Sequence, residues 1–223
     1  DSITREKLMM IRNYPVTRIS VNPQTMNQET LDIIGRRHTV QETEQAFKLA
    51  RECGFDNINM DLIVGLPGED KAMVEHTLEE VRRLAPDSLT VHSLAVKRAA
   101  RLNMFKDKYQ EMTFENNQEI MDMTMKTAYE MEMGPYYLYR QKNMKGNFEN
   151  VGYAKVDKAG IYNILIMEEK QPIIALGAGG SSKLVFDHGR RIERAENVKD
   201  VTNYISRIDE MIERKRAGIQ KWL

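Results

Sequence analysis

A carboxylate stands inside an otherwise apolar stretch of this sequence. Residues 57–64 are mostly apolar and β-prone, yet Asp61 lies among them, and the turn Gly65-Leu66-Pro67-Gly68 follows directly. Burying a carboxylate is costly unless it is hydrogen-bonded or paired. Two interpretations are open: Asp61 accepts hydrogen bonds from the hydroxyl groups of a ligand, or it is a structural acid that caps the next helix or pairs with an arginine.

Other polar side chains stand near the ends of predicted strands. Gln24 follows the strand before Asp61, and His92 lies late in the strand after it. Ligands of parallel α/β sheets bind beyond the carboxyl ends of the strands, which places Gln24 and Asp61 at one rim. His92 alternates with apolar neighbours, a pattern that favours a packed core histidine over a ligand. The cationic loop Arg36-Arg37-His38 is solvated unless an anion binds there.

Composition narrows the classes of function. The chain has 33 Lys and Arg against 33 Asp and Glu, so no net field attracts nucleic acid or an anionic membrane. No apolar run reaches the roughly 18 residues of a membrane span. The single cysteine, Cys53, excludes an internal disulfide and a multi-cysteine metal site within the chain, and it fits a reducing cytosol. We therefore expect a cytoplasmic protein without a nucleic-acid partner, membrane span or metal site of its own.

Three helix–strand units in a row position these residues. Strands are predicted over residues 17–21, 57–64 and 88–95, each preceded by a helix with apolar residues at helical spacing. The second helix begins at a capping box, Thr39 with Glu42, and ends at Gly54. Strands that alternate with helices predict right-handed crossovers and a parallel sheet, hence an α/β fold.

The second half of the chain has a different pattern. It predicts a long helix, then three strands, a short hairpin around Asp187-His188-Gly189 and a charged C-terminal helix. The helices are predicted over residues 113–133 and 201–216, the strands over 136–141, 160–167 and 172–180, and the hairpin over 185–194.

Three stretches of the sequence resemble a known family. RISVNPQTMNQETLDIIGRRHTVQE, NINMDLIVGLPGE and VGYAKVDKAG…LGAGGSSK resemble the oxygen-independent coproporphyrinogen III oxidases, or dehydrogenases. These are radical S-adenosylmethionine (radical SAM) enzymes of anaerobic haem synthesis, and the likeness is to the HemZ-type branch. The resemblance implies a partial (βα) barrel of the TIM type with a parallel sheet and a C-terminal α+β elaboration. Residues 1–110 would be the C-terminal part of the barrel core, and residues 111–223 the remaining strands and the elaboration.

The resemblance also assigns cofactor contacts. Gln24 matches a glutamine that contacts the ribose of S-adenosylmethionine, and Asp61 matches an aspartate that accepts hydrogen bonds from the ribose hydroxyls. Arg36 matches an arginine that meets the methionine carboxylate, for which a guanidinium is suited because it can donate two parallel hydrogen bonds. Ile63 and Ala95 match positions that border the adenine. No catalytic residue is assigned.

The sequence departs from the family pattern in one large respect. The three cysteines of the family's CxxxCxxC motif are absent, as are its Gly-Gly-Thr-Pro segment and the glutamate of its third strand. The chain is therefore expected to match roughly the last half of such an enzyme and to be inactive alone. The ligands of the [4Fe–4S] cluster are expected only in a full-length parent.

The resemblance implies an oxidoreductase as the parent. Such an enzyme reduces S-adenosylmethionine with an electron from a donor protein, and the resulting 5′-deoxyadenosyl radical abstracts hydrogen from a propionate of coproporphyrinogen III. Loss of carbon dioxide and an electron then leaves a vinyl group, which leads to protoporphyrinogen IX. The alternative within the superfamily is a haem-binding chaperone. A phosphate- or metal-dependent barrel enzyme is a third hypothesis, for which the sequence offers no ligand cluster.

Overall fold

The computed structural model describes residues 3–94, 116–139 and 148–222. Two compact units divide the chain, Asp1–Gly160 and Ile161–Leu223. The assignment of residues 1–110 and 111–223 to parts of a barrel stays a prediction.

The first unit alternates helices and strands along its length. Its elements are α1 (Arg5–Arg12), β1 (Ile19–Ser20), α2 (Gln28–Ile33), α3 (Val40–Glu52), β2 (Ile58–Val64), α4 (Lys71–Leu84), β3 (Ser88–Ser93), α5 (Gln118–Glu130), β4 (Gly134–Tyr139) and β5 (Asn150–Ala154).

Short-range signals in the sequence determine where the helices begin and end. The predicted capping box is confirmed: the backbone N–H of Glu42 donates to Thr39 Oγ1 at 3.1 Å, and the Thr39 N–H donates to Glu42 Oε2 at 2.7 Å. Gly54, just after α3, has a φ of +84°, the left-handed conformation that suits glycine at a helix end. Asp70 caps α4 by accepting from the Met73 N–H at 2.9 Å.

The first unit contains a mixed five-stranded sheet in the order β1-β2-β3-β5-β4. Strands β1, β2 and β3 run parallel, which confirms the crossovers predicted from the helix–strand units. The predicted parallel sheet covers these three strands, and the sheet as a whole is mixed, since β5 lies antiparallel to both β3 and β4. The segment between β4 and β5 is shorter than the dozen or so residues that a parallel crossover needs, so the chain returns antiparallel. Strand β5 was not predicted at all.

The two faces of the parallel strands differ in polarity. In β2 the alternate side chains of Ile58, Met60, Leu62 and Val64 are almost fully buried, and they share their face with apolar residues of β3. Side chains from helices α3 and α4 complete this hydrophobic core. The intervening positions of β2 and β3 are mainly polar and point to the opposite face. The alternation therefore separates a core face from a polar face.

The second unit is built around a hairpin. It contains α6 (Ile161–Met167), β6 (Ser181–Phe186), a 3-10 turn (Asp187–Gly189), β7 (Arg191–Glu196), α7 (Val201–Ser206) and α8 (Ile208–Trp222). The hairpin around Asp187-His188-Gly189 is confirmed.

Three predictions for the second unit are wrong. Residues 160–167 were expected to form a strand, but a short apolar run fits a helix equally well, and they form α6. Residues 172–180 form no strand; Ile173 makes one isolated bridge to Lys183. The single C-terminal helix is two helices, α7 and α8, with Arg207 between them.

None of the helices in the described ranges combines the length and the apolar character that crossing a membrane requires.

The free edge of β1 makes self-association of the isolated 223-residue chain an expected outcome. In the described part of the sheet, the N–H groups of Ile19 and Val21 donate to the carbonyls of Asn57 and Asn59, just before and within β2, while the other edge of β1 pairs with no strand. Open edges recruit further strands, and a lysine on an edge discourages this. We expect mass to rise with concentration in light scattering, and Ser20→Lys to shift the chain toward monomer. A wild-type monomer that melts cooperatively at every concentration would contradict this.

Candidate functional site

The backbone of Gln24 is joined to β2 beside Asp61. The Gln24 N–H donates to the Asp61 carbonyl at 3.0 Å, and the Ile63 N–H donates to the Gln24 carbonyl at 2.8 Å. These two bonds extend the parallel pairing of β1 and β2 by an isolated bridge between Gln24 and Leu62. The structure therefore brings Gln24, Asp61 and Ile63 together, as expected of residues at one rim of the sheet.

Asp61 is half-buried on the polar face and has an amide as its neighbour. Asn59 Nδ2 donates to Asp61 Oδ1 at 2.6 Å. Across the sheet, Asp61 is in register with Thr90 of β3. Within the described ranges, no arginine or lysine forms an ion pair with Asp61. The interpretation of Asp61 as an arginine-paired structural acid therefore has no support in these contacts.

A ladder of hydrogen bonds satisfies the polar face below Asp61. Asn59 Oδ1 accepts from Ser88 Oγ at 3.2 Å and from Thr90 Oγ1 at 3.1 Å. Arg18 Nη2 donates to Ser88 Oγ at 3.1 Å. Asn59, Ser88 and Thr90 are all buried. Most polar groups of this part of the face bond to one another, with Arg18 Nε left buried and without a described hydrogen-bond partner, whereas Asp61 above it keeps access to solvent.

Tyr137 of β4 folds back over the polar face. A Cβ at Gly152, its neighbour on β5, would lie 2.2 Å from Tyr137 Cε1, so only glycine leaves room for the ring. Tyr137 forms a hydrogen bond with Thr90, and burial, followed by the charges of Tyr136 and Asp61, raises the pKa of Tyr137 to about 12. The phenol is therefore neutral at physiological pH.

His92 lies on the same face as Asp61, two residue pairs further along the pairing of β2 and β3. It is half-buried and in register with Ile63. Burial lowers the pKa of His92, while the nearby Asp61 carboxylate raises it in part. The sequence favoured a core histidine, but this side chain belongs to the polar face and lies outside the hydrophobic core cluster.

Two of the predicted cofactor residues are not placed beside Asp61. Arg36 is exposed on the loop after α2, where its backbone N–H donates to the Leu31 carbonyl at 2.9 Å, and no contact joins it to Asp61. Ala95 lies outside the described residues. The roles assigned to both residues stay predictions.

Cys53 is a helix-end residue in this fold. It forms the C-cap of α3, is buried, and lies 3.8 Å from Arg5 Nη1. In the ranges that the structure describes, no three His, Cys, Asp or Glu side chains come together in a way that could hold a metal ion.

A groove of about 430 Å³ lies away from these residues, between β1 and α3. Its lining includes Ile3, Ser20, His38, Glu42 and Leu49. None of the predicted cofactor residues lines it. We place the candidate site by its chemistry, at the polar face around Asp61, because a carboxylate, an amide and an imidazole converge there.

Four functional candidates were missed or undervalued at the level of sequence: Asn59, Thr90, Tyr137 and His92. The signal for Asn59 and Asp61 was present as two polar residues two positions apart in a buried strand, which indicates a shared face. Nothing local indicated that Thr90 and Tyr137 meet at this face, because their position depends on pairing between strands that are distant in sequence.

Comparison with known proteins agrees with this fold. Residues 1–81 match the family model of the Radical SAM superfamily. The oxygen-independent coproporphyrinogen-III oxidase-like protein HemZ of Bacillus subtilis (strain 168) is 45% identical over 96% of this chain and 43% of its own length. The heme chaperone HemW of the same organism is 36% identical over 44% of this chain and 26% of its own length.

A solved structure has the same architecture. Coproporphyrinogen III oxidase (HemN) from Escherichia coli, described as a radical SAM enzyme, superposes with a TM-score of 0.68 at 20% identity, over 94% of this chain and 47% of that chain. The chain thus spans less than half the length of these relatives. The predicted partial barrel of α/β class is confirmed at the level of the fold.

The pair of His92 and Asp61 gives a titration that can be measured. Because burial favours the neutral imidazole, the folded chain binds fewer protons than the unfolded chain just below the ordinary His pKa of 6.5. This group's contribution to the free energy of unfolding should therefore fall as the pH drops through that value. NMR titration of labelled histidine, with the resonance assigned through His92→Gln, should give a pKa below 6.5.

Asp61→Asn should lower the pKa of His92 further, since it removes the carboxylate that stabilises the imidazolium. Asp56→Asn, at an exposed ion pair with Lys158, is the matched control and should leave the His92 titration unchanged. A His92 pKa that rises in Asp61→Asn would contradict the geometry.

Proposed function

We propose that this chain is part of a radical SAM oxidoreductase, because residues 1–81 match the family model of the Radical SAM superfamily and the chain is 45% identical over 96% of its length to a HemZ coproporphyrinogen-III oxidase-like protein. The reaction we propose for the full-length protein is the oxidative decarboxylation of coproporphyrinogen III to protoporphyrinogen IX in haem synthesis. The observation that carries the proposal is Asp61, a half-buried carboxylate at the polar face that no described lysine or arginine neutralises.

The residues at this face fit S-adenosylmethionine. Asp61 has one oxygen bonded to Asn59, so its remaining acceptor capacity can bind the ribose hydroxyls. Gln24, whose backbone is bonded to Asp61, offers a side-chain amide, and Ile63 offers an apolar side chain that can border the adenine. Arg36, exposed on its loop, is the guanidinium that can meet the methionine carboxylate. When bound and reduced by one electron, the cofactor supplies a carbon-centred radical that can abstract hydrogen from the substrate.

The residues present do not fit an iron–sulfur cluster. Such a cluster needs several cysteine thiolates, and this sequence has one cysteine, which is buried at the end of α3. We therefore assign the cluster and its contact with an electron donor to other parts of the full-length protein. This chain would contribute the binding and orientation of the cofactor.

Turnover and haem binding separate the two candidate functions. The likeness to a heme chaperone spans 44% of the chain and keeps that function as the rival. We expect the anaerobically reconstituted full-length protein to convert coproporphyrinogen III, with consumption of S-adenosylmethionine measured by chromatography. Stoichiometric haem binding without porphyrinogen turnover would instead favour the chaperone.

Asp61→Asn in the full-length protein should weaken S-adenosylmethionine binding while sparing the fold. The asparagine keeps the volume and one acceptor but removes the charge that strengthens hydrogen bonds from the ribose hydroxyls. Charge-assisted hydrogen bonds contribute roughly 1.5–3 kcal/mol, so we expect about a tenfold or greater loss of affinity by calorimetry.

Asp87→Asn is the matched control. Asp87 is a buried carboxylate that does pair with an arginine: its Oδ2 lies 2.6 Å from Arg51 Nη1 and accepts from the Ile58 N–H at 2.8 Å. This variant should lower the melting temperature and leave the cofactor affinity of the folded protein unchanged. If Asp61→Asn behaves like Asp87→Asn, with lost stability and intact affinity, Asp61 is structural.

A further inference from the structure

Gln24 is held in a backbone conformation that needs support. Its φ is +69°, in the left-handed region that side chains other than glycine rarely adopt. On one side, the backbone bonds to Asp61 and Ile63 hold it against β2. On the other side, the chain continues into the segment from Thr25 to Asn27, and this segment must be fixed as well for the Gln24 side chain to have a defined direction.

A buried carboxylate fixes this segment. Glu69, 2% exposed, accepts at Oε1 from Thr25 Oγ1 at 2.5 Å and from Asn27 Nδ2 at 2.9 Å. Thr77 of α4 joins the same cluster: its hydroxyl lies 3.1 Å from Thr25 Oγ1 and accepts from the Met26 N–H at 3.1 Å. Thr25, the residue that follows Gln24, is thus bonded both to Glu69 just before α4 and to Thr77 in the middle of α4.

The donors to Glu69 in the described contacts are neutral groups. No arginine or lysine in the described ranges forms an ion pair with it, although burying an unpaired carboxylate is unfavourable. Its position directly before the N-cap Asp70 of α4 offsets part of that cost, because the positive end of the helix dipole lies there. The Glu69 carboxylate therefore joins two loops. One is the loop after β1, which carries Gln24, and the other is the loop after β2, the strand that carries Asp61.

We propose that Glu69 is a positioning residue of the cofactor site. It touches no cofactor atom; it acts through Thr25 and Asn27 to hold the left-handed turn at Gln24, so that the Gln24 backbone stays bonded to Asp61 and Ile63 and its side chain keeps one direction. The inference rests on the proposed function, in which Gln24 contacts S-adenosylmethionine. The competing explanation is that Glu69 only anchors α4 and contributes to stability alone.

The test uses the full-length reconstituted protein with S-adenosylmethionine as the probe, in calorimetry well below the melting temperature. Glu69→Ala removes the acceptor and should weaken binding about tenfold, a typical size for coupling within one hydrogen-bonded network. Glu69→Gln keeps an acceptor oxygen for Thr25 and Asn27 and should restore affinity to within about threefold of the wild type. Glu79→Ala, at an exposed glutamate of α4, is the matched control and should change nothing.

A double-mutant cycle with Gln24→Ala identifies the route. If Glu69 acts through Gln24, Glu69→Ala should cause no further loss of affinity once Gln24 is alanine. Additive losses, or a Glu69→Ala variant that melts earlier but binds normally, would overturn the inference. If Glu69→Ala does not fold, Thr25→Val replaces it, since it keeps the volume and removes the hydroxyl; unchanged affinity in that folded variant would overturn the inference equally.

The same cycle separates this inference from the proposed function. Normal binding by Gln24→Ala and by Asp61→Asn would refute the cofactor site itself. Weak binding by those two variants together with normal binding by Glu69→Ala would leave the site intact and refute only the role of Glu69.

Discussion

The register of β2 between β1 and β3 is the constraint on which the candidate site depends. Because successive side chains of a strand point to opposite faces, one register places Ile58, Met60, Leu62 and Val64 in the core and Asn59 and Asp61 on the other face. A slip of one residue would bury Asp61 among the helices and expose the apolar set. The hydrophobic core thus holds the polar site in place without contributing an atom to it.

A polar face must satisfy its own groups before it can serve a ligand. Near the amino end of the strands this is achieved by internal bonds among Asn59, Ser88 and Thr90, with Arg18 below and Tyr137 above. Toward the carboxyl end, the ladder leaves Asp61 half-open. Polar side chains near the amino end of the strands are bonded to one another, whereas Asp61 nearer the carboxyl end is not fully bonded. Groups that can bind a ligand therefore lie at the rim of the sheet, where crossover loops supply further groups.

The sequence was sufficient for what local chemistry determines. Capping at Thr39 and Glu42 and the helix end at Gly54 follow from residues close in sequence. The three parallel strands, with Gln24 near Asp61 at one rim, follow from the alternation of helices and strands along the chain. The strand β5 was missed because it is short, contains Gly152 and lies in a polar stretch. Helix α6 was mistaken for a strand because seven apolar-rich residues carry too little periodicity. The resemblance to a family supplied the roles of the site residues, which patterning left open.

What the sequence could not supply is pairing across distance. Asp61 and Asp87 illustrate this: both are acids at buried strand positions or just before them, and nothing local distinguishes them. The fold gives Asp87 a guanidinium and a backbone N–H, which satisfy it within the protein. The Asp61 carboxylate accepts only from the Asn59 side chain among its described hydrogen bonds and stands at an open rim. A carboxylate that is satisfied internally stabilises the fold, whereas one that retains acceptor capacity in a partly buried setting is suited to bind hydroxyl groups from outside. That asymmetry, rather than the presence of an acid in a strand, supports the assignment of Asp61 to the cofactor.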